Sequence, residues 1–303
     1  MIPKMTIRRK LLISVLTASL IPLIIGIIYI KRETEDWLFH NNLEQSKILI
    51  DQTATYVDES VLLNMKNIAK FLALNEDLIN VDPGINRYLH YDKDTFVPTQ
   101  TESERRITQL FRSVVETNPD ISFISYGTQT GGYIEYPVFK PNGPYDPRIR
   151  YWYIHAEENN EVVVSEPYQT KVSKEYVISV DDVVRNKGSL VGVISLTISL
   201  EHIMEKLSKT TYGETGYIMA VSPKGSIINS PHNKGWVLEP YDSIGLGSFE
   251  SLQKKNGKTF EGKVNGVESI LTVHKSSSNG WTYLAVINKN EVLSYSKSLS
   301  GLL

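Results

Sequence analysis

Residues 145–153 read Tyr-Asp-Pro-Arg-Ile-Arg-Tyr-Trp-Tyr, and a further tyrosine follows in Ser165-Glu166-Pro167-Tyr168. Arg148 and Arg150 therefore sit among Tyr145, Tyr151, Trp152 and Tyr153, just after an Asn142-Gly143-Pro144 loop. A guanidinium presents a planar fork of donors that matches a carboxylate. Aromatic rings around it exclude water and strengthen the pairing, and Tyr and Trp tips add hydrogen bonds. That combination suits a pocket for a small anion, most simply a carboxylate. The same residue types also suit a structural aromatic loop with an internal Arg–Asp pair. Residue types alone leave both readings open.

Little else in the chain offers chemistry. The histidines at 40, 90, 155, 202, 232 and 274 are too scattered for a metal-binding pair on one helix, and neither a nucleophile elbow nor a phosphate-binding loop occurs. The chain has no cysteine, which removes disulfides, thiolate catalysis and cysteine zinc sites. Asp181-Asp182 reads as a solvated strand end rather than an acid–base pair. Lys and Arg number 32 against 34 Asp and Glu, so no basic excess points to nucleic acid. Tyrosine outnumbers phenylalanine 17 to 8, which fits either a ligand pocket or strands. No enzyme is expected, and no cofactor or metal.

The elements that must carry the cluster begin with a membrane anchor. Residues 11–30 form an uncharged run of 20 residues, the length that crosses a hydrocarbon core of ~30 Å. Lys4, Arg8, Arg9 and Lys10 precede it, while Lys31 and Arg32 are diluted by Glu33, Glu35 and Asp36. The positive-inside rule puts residues 1–10 in the cytoplasm and everything after residue 30 outside. A cleaved signal peptide would have a shorter apolar run and small residues at its end. Residues 31–80 read as one long stalk helix, with apolar residues at helical spacing from Trp37 to Leu72 and no Pro or Gly before Pro83-Gly84. Two helices with an unmarked break are the alternative.

A second helix is expected over 101–117, stopped by Asn118-Pro119. Strands are expected at 121–126, 133–139, 162–164, 175–180 and 189–198. After a helical stretch at 199–211 come strands at 217–221, 226–228, 259–264, 269–273 and 281–287. The fold class is α+β: a transmembrane helix, a stalk and two antiparallel-sheet modules. If Leu299–Leu303 opens a second spanning helix, the sequence is a piece of a longer receptor.

The aromatic–arginine cluster resembles the ligand-binding signature of double Cache domains, extracytoplasmic sensors of bacterial chemoreceptors and sensor kinases. The amino-acid-binding type carries Tyr, Arg five residues on, Trp and Tyr just after, and a later Tyr. Here these are Tyr145, Arg150, Trp152, Tyr153 and Tyr168. Phe123–Pro137, with Gly127 and Gly131-Gly132, resembles the strand pair before the pocket; Gly213, Gly216-Tyr217, Gly225 and Gly280-Trp281 resemble the membrane-proximal module. The resemblance implies that Tyr145, Arg150 and Trp152 hold a ligand carboxylate. It also implies that Tyr153 and Tyr168 help hold an α-amino group, together with an Asp before an Ile-Ser-Leu run. Thr197 stands at that position here, so the amino half of the site departs from the family, with Asp181 or Asp182 as candidate substitutes.

The implied organisation is a PAS-like Cache pair, with a membrane-distal ligand-binding module at 81–205 and a membrane-proximal module at 206–290. The segment 291–303 would lead to a second span. The expected function is the sensing region of a transmembrane receptor, with a chemotaxis receptor ahead of a histidine kinase or a cyclic-dinucleotide enzyme. The ligand is expected to be an amino acid or organic carboxylate. The other expected partners are the membrane and a second copy of the chain, paired through the long helix; no nucleic acid is expected.

Overall fold

The computed structural model describes residues 7–97, 101–138, 142–170, 173–209 and 211–292. One helical column leads the chain: α1 (Ile7–Thr55), a π-helical stretch (Tyr56–Leu63) and α2 (Asn64–Ala73), with no loop between them. Its first part, Ile7–Thr34, is long and apolar enough to cross a bilayer and is not buried. Pro22 lies inside without breaking it.

The column stops at Ala73, short of the expected residue 80. Asn75 adopts an extended backbone and its side chain accepts the Asp77 N–H at 2.9 Å, capping a separate turn, α3 (Glu76–Ile79). An Asn side chain competes for backbone N–H groups and so favours a new helix start over helix continuation. The helix α4 (Glu102–Thr117) opens in the same way, with Thr101 accepting the Glu104 N–H at 3.1 Å.

The chain then builds β1 (Phe123–Thr128), β2 (Tyr133–Tyr136), α5 (Tyr151–Asn159), β3 (Val163–Val164), β4 (Tyr168–Gln169), β5 (Tyr176–Asn186) and β6 (Ser189–Ser199). These strands pair antiparallel in the order β2-β1-β6-β5-β3, with β4 also on β5. The helix α6 (Leu200–Ser208) leads to a second sheet of β7 (Tyr217–Val221), β8 (Ile227–Asn229), β9 (Thr259–Val264), β10 (Val267–Lys275) and β11 (Thr282–Asn288), with α7 (Phe249–Gln253) between β8 and β9. Its order is β8-β7-β11-β10-β9, the same pattern as the first sheet. The expected fold class holds. Part of the segment expected to lead to a second span, residues 293–303, lies outside the described residues, as does Phe139 at the end of the second expected strand.

Both sheets lay one face on the helical column. Val57, Val61, Leu62, Met65 and Leu72 join Ile124, Tyr126, Val180 and Leu196 of the first sheet and Ile218, Ile270 and Tyr283 of the second in one continuous core. Burying each such aliphatic side chain contributes ~1.5–3 kcal/mol. The second sheet packs against α1 and the first against α2, so the first sheet stands farther from the apolar segment along the column. Ser46 Oγ to Thr272 Oγ1 at 3.0 Å and Ser276 Oγ donating to Asp58 at 2.6 Å add polar ties between the column and the second sheet.

Candidate functional site

The aromatic–arginine cluster lies on the other face of the first sheet. It is not a loop throughout: Pro147–Ile149 is a 3-10 turn and Tyr151–Asn159 is the helix α5, which composition did not announce. Asp146 starts the turn by accepting the Arg148 N–H at 3.0 Å. Gly127 of β1 lets the turn sit down on the sheet. A Cβ there would meet Pro147 Cβ at 2.7 Å and Trp152 Cη2 at 2.9 Å, so only glycine allows this approach. From the side, the 85–97 segment closes in. Its Tyr88 and Asn86 carbonyls accept the N–H groups of Tyr145 (2.8 Å) and Tyr133 (3.0 Å).

The two arginines divide the two readings between them. Arg148 makes the internal pair, its Nε at 2.9 Å and Nη2 at 2.8 Å from Asp146, and so holds that carboxyl below its usual range. Arg150 makes no hydrogen bond to Asp146 and acts on it only through its charge. Its guanidinium carbon lies 4.4 Å over the Tyr145 ring, and its Nε is buried with no hydrogen-bond partner. It faces a cavity of about 480 Å³.

Five of the six expected residues line that cavity: Tyr145, Arg150, Trp152, Tyr168 and Thr197. Tyr153 does not. It packs edge-on to Trp152, its hydroxyl buried without a partner and under the influence of the Asp146–Arg148 pair. One residue C-terminal to Trp152 on a helix is a turn of about 100°, which takes the ring off the cavity side. The Tyr145 ring packs on Tyr133 at 4.7 Å between centroids, and burial pushes its phenol up. Burial pushes the Tyr168 phenol up, the charge of Asp181 adds to this, and the neighbouring Ser179 and Thr197 hydroxyls oppose it.

A polar row runs along this face of the sheet, and of its members only Asp181 had been singled out from the sequence. Pairing in register sets Glu135, Ser125, Ser195 and Asp181 in one row across β2, β1, β6 and β5. At one end Glu135 takes the hydroxyls of Tyr133 and Ser125, the latter at 3.2 Å. Burial raises its carboxyl to about 7 against these two bonds. At the other end Ser195 donates to Asp181 at 2.6 Å and Ser179 at 2.9 Å; burial raises Asp181 to about 8.

The solvated strand end expected at Asp181-Asp182 is thus corrected: β5 runs on to Asn186 and Asp181 is fully buried at its middle. Strand alternation sends Asp182 to the opposite face, where it accepts the Val183 N–H at 2.8 Å and feels the charge of Lys70 of α2. The signal for Glu135 was available as one acid between Ile134 and Tyr136 in an otherwise apolar strand. Among the described residues, no three His, Asp or Glu side chains converge as a metal would require.

A double Cache family model, described as a Cache domain, matches residues 34–295. Among curated proteins, the methyl-accepting chemotaxis protein McpB of Bacillus subtilis is 24% identical over 205 residues, covering 65% of this chain and 29% of that protein. The chain spans less than a third of the length of the curated relatives it matches. Among solved structures, the ligand-binding domain of the Pseudomonas aeruginosa amino acid chemoreceptor PctB, in complex with L-Arg, has a TM-score of 0.60 at 20% identity. It covers 86% of this chain and 97% of its own. The ligand-binding domain of the Pseudomonas fluorescens chemoreceptor CtaA, in complex with L-leucine, has a TM-score of 0.59 at 22% identity, covering 85% and 97%.

Proposed function

The chain belongs to the double Cache family, and on that premise we propose that residues 31–303 are the extracytoplasmic sensing region of a transmembrane chemotaxis receptor, binding a small carboxylate in the cavity of the first sheet. One observation carries the reading. Arg150 stands at that cavity with a buried, unpartnered Nε, beside an arginine of the same turn that is already neutralised. A buried donor without an acceptor is costly, and a ligand carboxylate would supply the acceptor. The relatives named as chemotaxis proteins and the ligand-bound chemoreceptor domains of the same fold support this class of function. Binding shifts the receptor only by its different affinity for two states. The helical column, packed on both sheets, is the element through which such a difference would travel to the membrane.

The test of the ligand class is calorimetry on the full chain in lipid nanodiscs, titrated with L-amino acids, GABA and their deaminated acids. At least one carboxylate should bind; if none does, the reading falls. Orientation has its own test. The chain lacks cysteine, so a Lys254→Cys variant, at an exposed position, carries a single thiol. It should react with an impermeant maleimide in intact cells, after outer-membrane permeabilisation where such a membrane exists. Labelling only after lysis of the cytoplasm would reverse the topology.

A further inference from the structure

Two carboxylates end the polar row beneath the cavity, and they differ in what is left for a ligand. Asp181 is fully buried, both of its oxygens take serine hydroxyls, and it does not line the cavity. Glu135 lines the cavity directly. Its Oε2 takes Tyr133 and Ser125, while among the described residues no side chain donates to Oε1 and no basic side chain pairs with it. It also borders a neighbouring cavity that Arg105 and Arg112 of α4 line. Those two are already engaged: Arg105 pairs with Glu102, and Arg112 lies 5.5 Å over Tyr136 and 3.9 Å from Glu116. The charges of Glu135 and Arg150 both act on the Tyr145 hydroxyl, which places the acid and the base around one ring of one cavity. Thr197, a hydroxyl in contact with Tyr168, offers a cation no countercharge.

We propose that Glu135 is the countercharge for a cationic nitrogen of the ligand, so that the cavity selects zwitterions, with the carboxylate on Arg150 and the ammonium on Glu135. This rests on the reading of the cavity as a carboxylate site. A half-buried carboxylate with a free oxygen edge, beside phenol rings, suits an ammonium group, because charge-assisted hydrogen bonds are the strong ones and strengthen as a ligand displaces water. Asp181 instead anchors the floor, holding the two serines that complete the row.

The experiment compares each amino acid with its deaminated acid, for example L-leucine with 4-methylpentanoate and GABA with butanoate, by calorimetry on the full chain in nanodiscs. The wild type should favour the zwitterion by roughly 10- to 100-fold, the value of a charged hydrogen bond. Glu135→Gln, which keeps the shape, should lose most of that preference while affinity for the deaminated acid stays within about threefold and the thermal midpoint is retained. Glu135→Asp should keep part of the preference, which separates a lost charge from a lost fold. Retention of the full preference in Glu135→Gln, or its collapse in Asp181→Asn instead, overturns the assignment. Arg150→Ala separates the two proposals. If it leaves zwitterion binding intact, the carboxylate site is wrong. If it removes both ligand classes while Glu135→Gln changes nothing, only the present inference fails.

Discussion

The two sheets have the same strand order but opposite outer faces. In the first, the face turned away from the helical column carries Ser125, Ser195, Thr197, Ser179, Asp181 and Glu135 beneath a cavity. In the second, the matching face is filled by Met219, Val221, Leu271, Val273, Leu284 and Val286, and covered by Tyr241, Leu252 and Phe249. The inner faces are alike, both apolar and both joined to the column in one core. The difference teaches where the fold makes room for a cavity. A sheet secured by one apolar face can give up packing on the other, provided its buried polar groups satisfy one another. The two serines on Asp181 do this at one end of the row in the first sheet, while Glu135 at the other end is half-buried and keeps one oxygen toward the cavity.

That contrast makes mutations in the two sheets separable. The largest expected effect is on binding. Arg150→Ala should cost ~2–5 kcal/mol of ligand affinity, as expected when one partner of a buried charge pair is removed. Arg150→Lys should do nearly as badly, since a point charge does not replace the fork. Calorimetry should then show binding lost with the melting temperature nearly unchanged. In the second sheet the signs exchange: Leu284→Ala, fully buried on β11, should cost ~2–5 kcal/mol of stability and leave ligand affinity unchanged. Urea unfolding paired with titration measures both. A Leu284→Ala variant that folds normally but loses ligand would break the comparison.

The third effect is smaller and depends on pH. Glu135 has its folded-state pKa raised from 4.5 to about 7, so its contribution to the empty protein's stability is fully present below 4.5 and is lost as pH rises through 7. Asp181 acts in the same direction over 3.8 to about 8. A cationic ligand group needs the charged form and must displace the proton. Binding of a zwitterion should therefore be roughly tenfold weaker at pH 6 than at pH 8, with proton release seen as a buffer-dependent binding enthalpy. The groups facing Glu135 are Tyr133 and Ser125, with Tyr88, Tyr145, Tyr151, Tyr168, Glu104, Glu175, Arg105, Arg112 and Arg150 around the two cavities. Of these Glu104 is also raised by burial, so Glu135→Gln is the control that isolates the effect: its profile should flatten. A wild-type profile that is flat from 6 to 8 would mean that Glu135 meets no cation.

Local signals in the chain were enough for the elements themselves. Charge-free residues 11–30, the periodic apolar positions of the stalk and the alternating strands specify their own structures, because helix and strand periods are written in adjacent residues. The cluster from Tyr145 to Trp152 was legible for the same reason, since its members are close in sequence. What the sequence alone did not determine depends on pairing between distant segments. The break at Asn75 turns on a side chain choosing a backbone N–H. The split between Arg148 and Arg150 turns on which of the two Asp146 can reach. Tyr153 leaves the cavity because the stretch from Tyr151 is a helix. The row from Glu135 through Ser125 and Ser195 to Asp181 exists only once four strands, more than forty positions apart at its ends, have set their register. A single residue of slip would turn each of those side chains to the other face, so the tertiary fold alone decided that Glu135 and Arg150 line one cavity while Asp181 lies buried at the far end of the row.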